Sequence, residues 1–91
     1  MTVESVNYRV TAGAPSRFQS SPGVTRTFCA ACGTQLTYQR SDEEQFIDVT
    51  LCSLDEPDAL APQDHTFTQY RLSWDMSADG KPEYLRLRDG L

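Results

Sequence analysis

The stretch TRTFCAACGTQLTYQR, residues 25–40, decides how the rest of the sequence is interpreted. Its two cysteines, Cys29 and Cys32, are separated by two residues, and Gly33 directly follows the second. This spacing lets two thiolates reach one zinc ion from a single turn, and a glycine supplies the positive φ that so sharp a bend tends to need. We therefore predict a zinc knuckle between two strands, with Cys29 and Cys32 as metal ligands.

Three other interpretations of the cysteine pair stay open. A redox dithiol normally opens a helix within an α/β unit, whereas a strand pattern follows here. The two cysteines could instead be buried as small hydrophobic residues, or form a pair that binds no metal in this chain. A structural zinc ion takes four protein ligands, and besides the pair the sequence offers Cys52 and His65. We interpret Cys52 as a core residue and His65 as solvated or hydrogen-bonded to a neighbour such as Asp64, and predict neither as a ligand.

Strand signals dominate the remainder of the chain. Apolar residues alternate with polar ones at the period of two that a half-buried strand requires. In the most apolar predicted strand we expect Ile47, Val49 and Leu51 to point inward, and Cys52 to fall on the opposite parity. The predicted strands cover five stretches: 5–13, 17–21, 34–40, 46–51 and 65–74.

Turn residues separate these strands. Pro22 followed by Gly23 suits a type II turn, because that turn favours proline at its second position and needs positive φ at its third. Asp55 can begin one short helical turn, which Pro62 ends. The sequence therefore predicts a mainly β fold, a small β-rich domain spanning residues 1–91 with one short helical turn.

Composition narrows the class of protein. The chain has 91 residues, a net charge of −5 and three cysteines, an odd number that argues against a disulfide framework. Residues 1–40 carry four arginines and one glutamate, whereas residues 41–91 carry twelve acidic and four basic residues. Four scattered arginines do not make the clustered basic surface that nucleic acids need, so no nucleic-acid partner is expected. Without a secretory signal or an apolar run of about 20 residues, we expect a cytoplasmic protein with no membrane partner.

Three segments in order resemble the glutathione-dependent formaldehyde-activating enzyme family. They are RFQSSPGVTRTFCAACGTQLTY at residues 17–38, IDVTLCSLDEP at 47–57 and PQDHTFTQYRLSW at 62–74. The resemblance covers about residues 8–84, and it implies a β-rich, zinc-binding fold known as the β-tent. In that family the C-x-x-C is half of a structural zinc site, and by position it falls on Cys29 and Cys32.

The resemblance also implies what this chain lacks. In the family, a C-x-C near the N-terminus completes the structural site, and a C-x-C-x-x-C cluster upstream holds a catalytic zinc ion. This sequence resembles the family from beyond both clusters, so we expect an N-terminally shortened chain that corresponds to the C-terminal portion of the family domain. No catalytic or glutathione-binding residue can be carried over. Cys52 falls where the family tends to have a small residue.

Three functional hypotheses follow. The first is a zinc protein with carbon–sulfur lyase chemistry on adducts of glutathione with formaldehyde or a related aldehyde, inactive as this isolated chain. The second is a non-enzymatic zinc module in which two protomers share one site through Cys29 and Cys32 of each. The third is a metal-free relic or small binding domain. A homodimer is expected, because strand edges and an incomplete core must be covered.

Overall fold

The computed structural model describes residues 1–88, which divide into two compact units. The first unit runs from Met1 to Leu60 and the second begins at Ala61. Five strands form one antiparallel sheet in the first unit, with the order β1-β5-β4-β3-β2. The strands are β1 (Thr2–Glu4), β2 (Ser16–Ser21), β3 (Val24–Phe28), β4 (Gln35–Arg40) and β5 (Phe46–Val49). The predicted mainly β class is confirmed.

Short 3-10 turns provide the helical structure of the described residues. Four lie in the first unit and one in the second, and each contains three residues. They are Ser5–Asn7, Ser41–Glu43, Leu51–Ser53, Pro57–Ala59 and Thr68–Tyr70. The turn Pro57–Ala59 is the predicted helical turn, although Glu56 rather than Asp55 precedes it and no side chain caps it. No helix in residues 1–88 combines the length and the apolar character that crossing a bilayer requires.

The hairpin between β2 and β3 turns at Pro22 and Gly23, as the sequence predicts. Gly23 has a φ of 74°, the positive value that the third position of a type II turn needs. Type II turns splay the strands of a two-residue hairpin, and the register shift between Gln19 and Ser21 gives the strands extra local twist. The Gly23 carbonyl accepts a hydrogen bond from the Ser41 amide at 2.8 Å, which ties this hairpin to the end of β4.

The predicted strand over residues 5–13 is wrong. The strand at this end is β1, which pairs with β5 and is followed by the turn Ser5–Asn7. Ser5 ends the pairing because its amide donates to the carbonyl of Gln45 at 2.8 Å and its hydroxyl to that of Glu44 at 2.6 Å. Val6, expected on the inward face, is 87% exposed. A short polar side chain that competes for backbone partners overrode the alternating pattern.

The predicted strand over 46–51 is confirmed only as far as Val49. Thr50 leaves the sheet and begins the turn Leu51–Ser53, because its hydroxyl donates to Ser53 Oγ at 2.8 Å and its carbonyl accepts from that Oγ at 2.7 Å. Cys52 lies on this turn and is exposed, so its interpretation as a core residue is wrong. Of the three residues expected inward, Ile47 is buried.

The sheet buries little of its surface. Ile47, at 9% exposure, is the buried hydrophobic side chain of the described residues, and Thr37, at 5%, is the buried polar one. Leu36 and Tyr38 share the opposite face of β4 and are half-buried. Large hydrophobic side chains such as Phe18 and Phe46 are exposed. Because the sheet buries so little apolar surface, cross-strand hydrogen bonds contribute much of the order of this unit.

In the second unit, the predicted strand over 65–74 is wrong. Residues 65–69 run beside residues 82–86, with the His65 amide donating to Pro82 and the Tyr84 amide to His65. Only one isolated bridge forms in the described part of this unit, between His65 and Glu83. Phe67 adopts a left-handed φ of 54°, which ends any extended run before Thr68–Tyr70. Trp74 is 79% exposed.

Candidate functional site

The cysteine pair lies in a closed turn between β3 and β4. The Cys29 amide donates to the carbonyl of Thr34 at 2.8 Å, and the Gly33 amide donates to the carbonyl of Cys29 at 2.8 Å. Gly33 has a φ of 80°, and a Cβ built on it meets no atom within 4 Å. The glycine is therefore needed for its backbone conformation rather than for space. The knuckle geometry predicted from the sequence is present.

The two thiols of this turn are free and lie close to each other. Cys32 Sγ lies 3.1 Å from Thr34 Oγ1, and Cys32 is exposed whereas Cys29 is half-buried. Hydrogen bonds from the Thr34 hydroxyl and from the Thr34 amide, with a smaller one from the Cys29 side chain, lower the pKa of the Cys32 thiol. The turn therefore favours thiolate at Cys32, the form in which cysteine acts as a metal ligand.

A third ligand does not join the pair from within residues 1–88, where no group of three His, Cys, Asp or Glu side chains is placed to hold a metal ion. Cys52 is held on its own exposed turn by the Thr50 and Ser53 hydrogen bonds. Two thiols on one tight turn have the chemistry of half a tetrahedral zinc site. That Cys29 and Cys32 bind metal stays a prediction.

His65 lies in the second unit and has a different partner from the expected Asp64. Its Nε2 lies 2.9 Å from Asp79 Oδ2. The Lys81 amide donates to Asp79 Oδ1 at 3.0 Å, and together with His65 it lowers the pKa of Asp79. Asp64 instead accepts two hydrogen bonds from Arg88, which lower its pKa.

His65 also lines a hollow of about 230 Å³ in the second unit. Its basic side chain, Arg71, donates to Glu83 Oε1 at 2.8 Å, and Asp75 also lines the hollow. Phe67, with its left-handed backbone, stacks on Tyr70 with ring centroids 6.5 Å apart. The charge of Arg71 is therefore compensated from within the unit, by Glu83.

A larger hollow of about 400 Å³ lies in the first unit, on the face of the sheet that carries Ile47. Strands β2 to β5 form its floor, and residues from the segment 5–15 complete its lining. Thr27 and Thr37 face each other across β3 and β4 and share a hydrogen bond. The lining residues are Ser5, Tyr8, Val10, Pro15, Arg17, Thr25, Thr27, Thr37, Gln39 and Ile47.

This hollow was not predicted from the sequence. The signal that could have revealed it is a second alternation, in which threonine or glutamine occupies every other position of two neighbouring strands. Thr25 and Thr27 on β3 face Gln39 and Thr37 on β4, where an ordinary core would have apolar residues. Polar residues on one face of a sheet can line a cavity as well as face solvent.

Comparison with known proteins supports the family resemblance. The family model described as "Glutathione-dependent formaldehyde-activating enzyme" matches residues 1–70. The match includes the whole five-stranded sheet, the cysteine turn and His65. Comparisons with curated proteins and with solved structures each found no match.

Proposed function

Because this chain belongs to the glutathione-dependent formaldehyde-activating enzyme family, we propose that its Cys29 and Cys32 supply two of the four ligands of a structural zinc ion. The observation that carries the proposal is the closed turn between β3 and β4, which holds both thiols on one tight bend. Bound zinc would join the ends of these strands to a second pair of ligands. A small domain with so little buried apolar surface gains folding free energy from such a staple.

The family match supports chemistry at carbon–sulfur bonds. We propose that the whole protein acts on adducts of glutathione with formaldehyde or a related small aldehyde, in the cytoplasm, where three free thiols stay reduced. Making or breaking such an adduct needs a polarising metal ion or a positioned acid–base pair. Residues 1–88 bring together no set of three metal ligands. We therefore propose that this chain alone has no lyase activity.

A second candidate is a homodimer in which each protomer contributes Cys29 and Cys32 to one shared zinc ion. The exposure of Cys32 favours it, because a second chain can approach the thiol. The sheet also ends in two edge strands, β1 and β2, and exposes Phe18 and Phe46 on the face opposite the hollow. A two-fold axis through the zinc ion would complete the tetrahedron with four thiolates.

Zinc content and oligomer mass, measured on the same preparation purified without chelator, distinguish these candidates. A shared site predicts half a zinc ion per chain and a dimer that chelators dissociate. One zinc ion per monomer contradicts the shared site. Absence of zinc, with an unchanged circular dichroism spectrum, contradicts both zinc proposals and favours a metal-free small binding domain.

Cysteine variants test which thiols hold the ion. Cys29→Ser and Cys32→Ser should each lose bound zinc, because serine does not provide the thiolate. Cys52→Ser is the matched control, since Cys52 is also a free cysteine but lies on a separate exposed turn. Loss of zinc in Cys52→Ser equal to that in the other two would contradict the assignment.

Activity is tested by exchange NMR between formaldehyde, glutathione and their adduct. The chain alone should leave the exchange rate at its uncatalysed value. An acceleration that depends on bound zinc would show that the chain is sufficient for the reaction and would overturn its proposed inactivity.

A further inference from the structure

The hollow on the sheet of the first unit has a guanidinium at one side and paired hydroxyls across its floor. Arg17 on β2 is directly opposite Thr27 on β3, which is directly opposite Thr37 on β4. Side chains directly opposite in an antiparallel pair have Cβ atoms about 5 Å apart. All three line the hollow, so they form one polar row across it.

Several hydrogen-bond donors of this row have no partner in the described part of the chain. The guanidinium of Arg17 makes no ion pair or hydrogen bond within residues 1–88, and neither does the phenol of Tyr8. Thr27 and Thr37 share one hydrogen bond, which uses one of their two hydroxyl protons. The other proton stays available to a ligand. Gln39, in contrast, is engaged with Ser5 and with two backbone carbonyls.

The charge of the lining is positive although the chain carries −5 in total. Arg17 is the charged residue among the lining side chains, which include no aspartate or glutamate. An unpaired guanidinium beside hydroxyl donors is the arrangement that binds carboxylate, because its fork of N–H groups can donate two parallel hydrogen bonds. Acidic neighbours that would compete for Arg17 are absent from the lining.

Part of the lining of the hollow is apolar. Val10, Pro15 and Ile47 line it, and Ile47 is among the most buried residues of the unit. A volume of about 400 Å³ lies in the range of sites for small organic molecules. The ligand that matches this lining has one negatively charged end and a short hydrocarbon part.

We propose that this hollow is a binding site for a short aliphatic carboxylate, whose carboxylate is bound by Arg17 with the Tyr8 phenol and the Thr27–Thr37 pair. The hydrocarbon part lies against Val10, Pro15 and Ile47. The cysteine turn contributes no residue to the lining, so the proposal does not depend on zinc.

Titration of the full chain with butyrate, followed by two-dimensional amide NMR, tests the proposal. Binding should be saturable with a dissociation constant near about 1 mM, as expected for a ligand of six heavy atoms. The shifted amides should cluster at residues 17, 27 and 37. Butyramide, which has the same shape without the charge, should bind about tenfold more weakly or not at all. Equal binding of butyrate and butyramide would overturn the proposal.

Two arginine variants test whether the charge of Arg17 is responsible for butyrate binding. Arg17→Gln should weaken butyrate binding about tenfold or more, because it removes a charge-assisted hydrogen bond. Arg9→Gln is the matched control: it also removes one arginine of the first unit, but Arg9 does not line the hollow. Equal weakening in the two variants would mean nonspecific attraction and would overturn the proposal.

Tyr8→Phe tests the phenol separately and should weaken butyrate binding about threefold, the effect of one lost neutral hydrogen bond. An unchanged affinity would remove Tyr8 from the site. Unchanged NMR dispersion in each unliganded variant ensures that the fold is intact. Zinc content measured on the same variants should equal that of the parent chain, so failure of this proposal can be told apart from failure of the zinc proposal.

Discussion

Each compact unit contains a hollow lined by an arginine. The arginine of the second unit is paired with a carboxylate, whereas that of the first unit has no such partner within residues 1–88. In the second unit Arg71 donates to Glu83 at 2.8 Å, while Asp64 binds Arg88 and His65 binds Asp79. In the first unit Arg17 has no such partner within residues 1–88. A charge that is paired with a side chain of the same unit stabilises the fold. A charge without such a partner, beside free hydrogen-bond donors, is available to a ligand.

The two units also differ in the interactions that order them. Cross-strand hydrogen bonds run through all five strands of the first unit, and the hairpin between β2 and β3 turns at Gly23. The second unit has one isolated bridge among its described residues, and side-chain ion pairs connect its segments. We expect backbone substitutions to affect the first unit most and acidic pH to affect the second most.

Two glycines give the largest expected difference. Gly23→Ala and Gly80→Ala each place a Cβ on a residue of positive φ, which costs about 1–2 kcal/mol. At Gly23 the new Cβ also lies 3.0 Å from Ser41 Oγ, whereas at Gly80 it meets nothing within 4 Å. Gly23→Ala should therefore lower the free energy of unfolding by about 1 kcal/mol more, measured by urea denaturation.

The comparison of these variants is decisive because their backbone strain is the same. Equal losses would mean that the Ser41 hydroxyl moves aside without cost. A larger loss of unfolding free energy in Gly80→Ala than in Gly23→Ala would contradict the close approach of the new Cβ at position 23 to Ser41 Oγ.

Acid should weaken the second unit through Asp64 and Asp79. Both carboxylates have a pKa lowered in the folded chain, Asp64 by Arg88 and Asp79 by the Lys81 amide and His65. A lowered pKa contributes stability that is fully present above the unfolded value of about 4 and is lost as pH falls through the lower folded value. Asp79→Asn should therefore lower stability at neutral pH and flatten its decline below about pH 4.

The measurement is urea denaturation from pH 7 down to pH 2.5. Asp75→Asn is the control, because Asp75 belongs to the same unit but its carboxylate accepts no hydrogen bond among the described residues. The Asp79 assignment is wrong if both variants follow the same pH profile.

Trp74 gives the smallest expected effect. A tryptophan on the buried face of a strand over 65–74 would cost about 3–5 kcal/mol on replacement by alanine. Because Trp74 is 79% exposed, Trp74→Ala should change the free energy of unfolding by less than about 0.5 kcal/mol. A loss above about 2 kcal/mol, by urea denaturation followed by circular dichroism, would show that this side chain is buried in solution.

The sequence predicted the elements whose signals are local. The turn at Gly23 and the cysteine turn at Gly33 depend on residues that sit within the turns themselves, so their chemistry is visible in a few letters. Strand β4 follows from alternation after Gly33, and the short strand-like stretch 17–21 corresponds to β2. The family resemblance, carried by residues 17–38 and two later segments, agrees with the family match over 1–70.

The predictions that failed depend on contacts with distant residues. Ser5 leaves the extended conformation because Gln45 and Glu44, far along the chain, offer it backbone carbonyls. Thr50 is the exception, because the hydroxyl contact that ends β5 is to Ser53, three residues away. Periodicity near Trp74 predicted a strand, but no strand among the described residues pairs with that segment. Alternation shows that one face could be buried, and only a partner decides whether it is.

Period-two patterning and glycine-dependent turns predict a mainly β chain with a thiol pair on a tight turn, because both are properties of neighbouring residues. The partners of the polar side chains depend instead on how the chain folds. Strand register places Arg17 opposite Thr27 and Thr27 opposite Thr37, and the fold of the second unit pairs His65 with Asp79 rather than with Asp64. Cys52 does not join the cysteine pair in a group of three metal ligands among residues 1–88. The physical reason is that charge pairing and ligand geometry depend on distances between residues far apart in the chain.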